Sequence, residues 1–374
     1  MSANKTRRQK VGELIEIIDY RNSDGHDYDF FGINKDKVFM PTVADTNGLD
    51  NTKYKIVEKG TFVFSGMQTG RDVCIRIALY SNDTPIIVSP AYTTFKIKDQ
   101  TVVIPEYLFI QFNRFEMDRY GWFLSDGSVR SNLDWDRFCE IEIPLPSIDI
   151  QQELVDTYSG LKALAEQNEA IIEPLSKACE ALIANCKSKY AEVCLKDHIE
   201  ESFEQNTLGN LHLDDVRGVS INKEFIDTKA NMDNVPLDRY KIVRNNMFVF
   251  NVNTARMGDK FAIAFCKNQT YLVSSIYGVF KCKESSPLLP EYLFIHLKRN
   301  EFDRYVRFNS WGSARETFTM NEMYDVRIPL PPEEVQQSII NLYNCLEEAK
   351  AIAAEAREKL KTLCPALVQR AANS

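Results

Sequence analysis

The chain has 374 residues, 44% hydrophobic and 26% charged, the balance of a soluble globular protein with length for two domains or so. No apolar run approaches the eighteen or more residues of a membrane helix, and Met1–Lys10 has no apolar stretch behind its charges, so neither a span nor a secretory leader is expected and the reading is cytoplasmic. A net charge of −8 excludes a histone-like coating of nucleic acid while leaving room for a local basic face.

Residues 1–190 carry 22 Lys+Arg against 28 Asp+Glu and residues 191–374 carry 23 against 25, so the acidic excess lies mainly in the first half. Nine cysteines, scattered and never spaced C-x-x-C, read as reduced and mostly structural. His26, His198, His212 and His296 are too dispersed to suggest a zinc site, and no metal is expected.

In chain order, the first half offers an Ile-Asn-Lys at Ile33, a Tyr-Lys-Ile-Val at Tyr54, and β-rich runs TFVFSG, VCIRIALY and PIIVSPAYTTFKIK separated by polar loops, the signature of a compact sheet. After the first of these runs, Gln68, Thr69 and Arg71 supply amide, hydroxyl and guanidinium groups able to contact base edges. PEYLFI from Pro105 predicts a helix with proline in its first turn. Gly127-Ser128-Val129-Arg130 follows: glycine allows a tight loop, Ser128 can donate to a phosphate, and Arg130 can fork onto phosphate or guanine. An IPLP turn then leads into a long helical stretch.

The second half repeats this order. PEYLFIQFNRFEMDRY at Pro105 returns as PEYLFIHLKRNEFDRY at Pro290, and over the 48 positions that end at Gln152 and Gln337, 22 are identical. Upstream, Ile33 matches Ile221, Tyr54 matches Tyr240, Phe62 matches Phe248, and Val88 matches Val273, with small insertions between blocks. The loop candidates recur as Asn253, Thr254 and Arg256, extended by Lys260, and as Gly312-Ser313-Ala314-Arg315. Arg114/Arg299 and Arg119/Arg304 sit near acids and read as structural ion pairs.

Both helical stretches carry an apolar seam that alternates steps of three and four. Its leading positions are Leu154, Leu161, Asn168, Leu175 and Leu182 in the first, and Ile339, Leu346, Ala353, Leu360 and Leu367 in the second. Thr157, Leu164, Ile171 and Ala178 lie between the former. Asn168 interrupts the seam, and Pro174 removes a backbone donor and predicts a kink.

Catalytic signatures are weak. GMQTG at Gly66 lacks the lysine of a phosphate loop, Pro331-Pro332 is followed by acids suited to a helix start, and the E-x-K of Glu348 and Lys350 lies in the helical seam without a cleft.

Taken together, two variable α/β domains, each closed by a proline-rich IPLP turn, glutamines (IPLPSIDIQQ, IPLPPEEVQQ) and a long helix, resemble the specificity subunits of type I restriction-modification systems over essentially the whole chain. The resemblance implies an α/β (α+β) fold: target recognition domains at 1–146 and 191–331, helices at 147–190 and 332–374, and the helices paired as an antiparallel coiled coil with pseudo-two-fold symmetry. It further implies a non-catalytic chain that reads a bipartite site in double-stranded DNA and scaffolds two methyltransferase subunits and the restriction subunits. S-adenosylmethionine, ATP and Mg would belong to those partners. A stand-alone nuclease or methyltransferase with an unrecognised site, and a coiled-coil adaptor for proteins alone, are the other classes open at this point.

Overall fold

A computed structural model describes residues 7–373 apart from 44, 47, 130, 229, 256–257 and 313–315, with side chains described as far as Thr362. Contacts divide it into two compact units, residues 1–168 with 351–374, and residues 169–350.

In the first unit the central sheet is antiparallel, in the order Ile15–Ile17, Thr93–Ile97, Phe62–Ser65, Arg76–Leu79. Side chains alternate along a strand, and here both faces are covered. Phe62 and Phe64 enter one cluster with Phe95, Tyr107, Phe112 and Phe138, whereas Val63 joins Ala78, Ile86 and Val88 on the other side. That is why TFVFSG reads as an unbroken apolar run instead of an alternating one. A second sheet pairs Phe39–Pro41, Phe30–Ile33, Ile86–Val88 and Lys55–Val57, its middle pair parallel.

The second unit repeats the scheme. Its sheet runs Ile199–Glu201, Tyr277–Cys282, Met247–Asn251, Ile263–Phe265, with Phe248 and Phe250 facing one cluster and Val249 the other. Cross-strand rings stack alike in both, Phe62 on Phe95 at 4.9 Å and Phe248 on Phe280 at 4.7 Å.

Four helices finish the two domains: α1 (Pro105–Phe112) and α2 (Phe115–Leu124) in the first, and their counterparts in the second after the long helix α3 (Ile148–Lys189), namely α4 (Pro290–Lys298) and α5 (Asn300–Phe308). Proline opens α1 and α4 as expected. The chain ends in α6 (Glu333–Asn373).

Residues shared by the copies hold this frame. Tyr107 donates its hydroxyl to the Pro144 carbonyl and Tyr292 to that of Pro329, tying each PEY to its own IPLP. Gln151 is fully buried; its Nε2 donates to Val102 and Pro146 carbonyls while its Oε1 accepts from Ile104 N–H. Gln336 makes the same three bonds with Pro287, Pro331 and Leu289. The glutamines after IPLP are thus clamps that fix where each long helix leaves its domain.

A further pair shifts the alignment read from sequence. Lys37 donates to the Phe112 carbonyl and to Asp118, and Lys223 to the Leu297 carbonyl and Asp303. Each lysine closes a hairpin in the left-handed region, at φ 61° and 66°, with its N–H on the carbonyl three residues back, Asn34 or Ser220. Lys37, not the Lys35 of Ile-Asn-Lys, is therefore the counterpart of Lys223: the three-letter match was two residues out of register because the turn, not the tripeptide, is what recurs.

The long helices pack together. On α6 the expected seam is the buried one: Ile339, Leu346, Ala349, Ala353 and Ala356 are nearly fully covered and Leu360 half-buried, while the side chain of Leu367 lies outside the described residues. In the second unit, Ile183 and Cys186 of α3 share a cluster with Ile339 and Ile340, and Cys179 faces Cys345 and Lys350, so the helices run antiparallel there. On α3 the seam differs. Leu154 packs in its own domain's core, Leu161, Asn168 and Leu175 are half-buried, and Leu164, Ile171 and Leu182 are exposed. The buried positions are instead Ala165, Cys179 and Ile183, each one residue later than expected. Asn168 donates to the Leu164 carbonyl of its own helix, and Pro174 sits on the solvent side of a helix assigned without a break. Among the described residues no helix is long and apolar enough to cross a membrane.

Candidate nucleic-acid interface

The two loop motifs singled out in each copy are far apart in sequence, and the fold brings them together. In the first unit Gly70 N–H donates to the Ser131 carbonyl at 2.8 Å, Leu133 N–H to Gly66 at 2.8 Å, and Gln68 N–H to Asn132 Oδ1 at 3.1 Å. The approach demands glycine, since a Cβ on Gly70 would lie 2.3 Å from Ser131 Cβ. In the second unit Thr254 N–H donates to Glu316 and Phe318 N–H to Val252, with Asn253 bridged to Thr317. Each unit thus presents one composite loop surface built from the turn after its central Phe-Val-Phe strand and the segment before its IPLP.

The candidate residues fall into different places on it. Thr69 is fully buried and its hydroxyl donates to Gly66; Thr254 is likewise buried, its hydroxyl without a hydrogen-bond partner among the described residues. Both threonines are interior, because the loops fold back on the second motif instead of forming free hairpin tips. Gln68 is half-buried in the left-handed region and accepts from Arg71 at 2.7 Å, while exposed Arg71 also meets Asp72 at 3.2 Å. Against a burial penalty, hydrogen bonds from Arg71 and Arg76 hold the Asp72 carboxyl below its usual range. Asn253 and Lys260 are exposed. Ser128 is exposed too, but its hydroxyl is given to Asp126 at 2.6 Å, and that bond, with backbone N–H groups of Asn132 and Ser128, keeps Asp126 ionised below the ordinary carboxylate range. Ser128 therefore shapes the loop. Arg130, Arg256, Ser313 and Arg315 lie outside the described residues.

Arg114 and Arg299 each pair with a nearby glutamate, Glu116 at 3.7 Å and Glu301 at 2.8 Å, as expected of structural ion pairs. Sequence reading missed the aromatics beside the loops. Trp122 and Trp311 are more than half exposed, and Phe123 and Phe308, which occupy one repeat position, are 78% and 77% exposed. The signal was available in the recurrence of that phenylalanine between neighbours that change, Trp122 and Leu124 in one copy and Arg307 and Asn309 in the other. Among the described residues no group of His, Cys, Asp and Glu could hold a metal ion.

This architecture is similar to that of known proteins. The type I restriction modification DNA specificity domain matches residues 9–177. The MjaX specificity subunit of a type I restriction enzyme from Methanocaldococcus jannaschii is 21% identical over 88% of this chain and 85% of its own length. The S subunit of a type I restriction-modification system from M. genitalium superposes with a TM-score of 0.61 at 10% identity, over 99% of this chain and 97% of that one, and shares the fold. The HsdS subunit from Thermoanaerobacter tengcongensis aligns over 99% and 97% at 15% identity with a TM-score of 0.40. The chain is thus similar to the specificity subunits of type I restriction-modification systems.

Proposed function

We propose that this chain reads a bipartite site in double-stranded DNA, with one half-site taken by residues 1–146 and the other by 191–331, and that the helices at 147–190 and 332–374 set the spacing. The observation that supports this most directly is the doubled loop surface: in each unit the turn after the central strand is hydrogen-bonded to the segment before IPLP, while residues at matched positions of that turn differ, Gln68 against Asn253 and Gly70 against Ala255. A common frame with divergent tips is what two different half-sites require, because phosphate contacts position a protein and base-edge contacts specify. The acidic net charge leaves the chain dependent on its partners for affinity.

In this reading the chain is the non-catalytic subunit of a complex with two methyltransferase subunits and restriction subunits, working in the cytoplasm, and S-adenosylmethionine, ATP and Mg are bound by those partners. The similarity to specificity subunits does not favour a stand-alone enzyme or an adaptor for proteins alone. Selection of bound fragments from a random duplex pool by the assembled complex tests the proposal. Enrichment of two short motifs at one fixed spacing is expected, and a pool that stays random overturns it.

A further inference from the structure

A side chain that belongs to the shared frame recurs at one repeat position, as Tyr107/Tyr292 and Gln151/Gln336 do. The exposed tryptophans do not. Of the chain's three tryptophans, Trp135 stacks on Phe138 against the core of the first unit, while Trp122 and Trp311 stand more than half in water. In the gapless register that sets Pro105 against Pro290, Trp122 lies opposite Arg307 and Trp311 opposite Asp126. Leaving an indole in water forgoes a large gain from burial, and the chain does so once in each unit, from different positions.

Both nevertheless arrive at the composite loop surface. Trp122, on α2, lies against the first turn: a Cβ on Gly70 would come within 3.2 Å of its Cδ1. Arg71, the next residue of that turn, is exposed, a cation for phosphates beside the ring. Trp311, just past α5, exchanges two backbone hydrogen bonds with Thr317, at 2.9 and 3.2 Å, and Thr317 bridges Asn253 of the second turn. The residues opposite the indoles are the ones that tie the loops. Asp126 accepts from the N–H groups of Ser128 and Asn132, and Arg307 pairs with Glu316, whose carbonyl accepts the N–H of Thr254. Indole and loop-tying charge have thus exchanged places between the copies, and each surface keeps one of each. A frame residue, or a contact to one partner met alike by both units, would hold its position. A planar apolar group that each surface keeps, but at a different place, suits a duplex, where the base step it meets shifts with the half-site.

We propose that Trp122 and Trp311 are wedges: each indole enters the base stack at one step of the half-site that its unit reads and kinks the duplex there. The inference rests on the proposed function and names how that surface engages DNA. An apolar side chain that enters a duplex partly unstacks one step, and a planar ring recovers part of that cost by stacking on the base it uncovers. The steps that open most easily are TA and CA/TG, so each half-site carries one of them where its indole enters. Because the indoles stand at different repeat positions, the opened steps lie at different places in the two half-sites. Opening then adds to specificity without a hydrogen bond to any base.

The test uses the full chain assembled with its methyltransferase subunits on the duplex selected for it, and compares wild type with Trp122→Ala, Trp311→Ala, Trp122→Phe and Trp311→Phe. Permanganate attacks thymines that have left the stack, and every TA or CA/TG step contains a thymine. Wild type is expected to make one such step reactive in each half-site. Trp122→Ala should abolish the reactivity in one half-site only and Trp311→Ala in the other only, each with about tenfold weaker binding, whereas the phenylalanine variants should keep both. Unchanged melting temperatures rule out misfolding. A wild type that leaves every thymine stacked overturns the inference. So does reactivity that survives in both alanine variants, which would assign the opening to the methyltransferase subunits, and so does loss in both half-sites from either single variant. Alanine variants that release the methyltransferase subunits while still opening the duplex overturn it as well, by assigning the indoles to a protein contact. A wild-type complex that selects no bipartite duplex overturns the proposed function itself, before any variant is compared.

Discussion

Lys223 holds its ammonium 2.6 Å from Asp303 Oδ1 with both side chains only 5% exposed, and Lys37 repeats the arrangement against Asp118. The aspartates also accept the N–H of Phe261 and Ile75, so each pair joins a hairpin turn, a helix and the chain entering a sheet strand. Removing one partner of such a pair leaves an uncompensated buried charge, which costs about 3–5 kcal/mol. Asp303→Ala should lower the unfolding free energy of the second unit, measured in urea, by that amount, and Lys223→Met with Asp303→Leu should recover most of it. Equal losses in the single and double variants would show that the pair is incidental to packing.

Burial pushes His296 down to about 3, with the Arg299 and Lys187 charges acting in the same direction. A base whose pKa is depressed in the folded state is protonated first in the unfolded chain, so its contribution is complete above about pH 6.5 and is lost as pH falls towards 3. The loss is roughly 1.4 kcal/mol per pH unit inside that window. His296→Gln, which installs the residue found at Gln111, should flatten the acid limb of a stability profile measured between pH 7 and pH 4. An unchanged limb would place the acid sensitivity elsewhere.

Gln336 satisfies three backbone groups where α6 begins. Gln336→Ala strands a buried N–H and two carbonyls, a cost of about 2–3 kcal/mol. Hydrogen exchange should accelerate at Leu289, whose N–H the glutamine accepts, and Gln151→Ala should do the same at Ile104.

Ala353 and Ala356 are small and nearly fully buried on α6. Ala353→Leu overfills that seam and is expected to destabilise the first unit by about 1–3 kcal/mol. Leu360→Ala, at a half-buried position, should cost less, and thermal melts of the two variants rank the sites.

Arg71→Ala and Lys260→Ala separate reading from anchoring. An arginine on a base edge costs about 1–3 kcal/mol at its own half-site, whereas a lysine on phosphate weakens every sequence alike and lowers the salt slope by about one. Titrations against the selected site and against single-base variants, at two salt concentrations, distinguish them.

The repeat carried most of the fold. Because Phe62/Phe248, Tyr107/Tyr292 and Gln151/Gln336 are interior anchors, their recurrence could be read without coordinates. The α6 seam was equally legible, since its apolar residues keep one period from Ile339 to Leu360. What escaped depended on geometry that residue identity does not carry. Thr69 and Thr254 look like loop hydroxyls until the second motif closes over them. Lys35 and Lys37 are indistinguishable until a turn selects the one with positive φ. On α3 the clamp of Gln151 and the packing of Leu154 into the domain core set the rotation at which the helix emerges, and the buried stripe moves one residue from the heptad.

The first unit draws on two stretches of chain, 1–168 and 351–374. During synthesis the second stretch follows the first by the whole length of the other unit. Until it emerges, Ala165 and the stripe around it have no α6 to cover them, and an uncovered apolar stripe is an aggregation hazard in a partly made protein. At Ala165 and Asn168 that stripe is small or polar, so it can wait in water without recruiting a stranger.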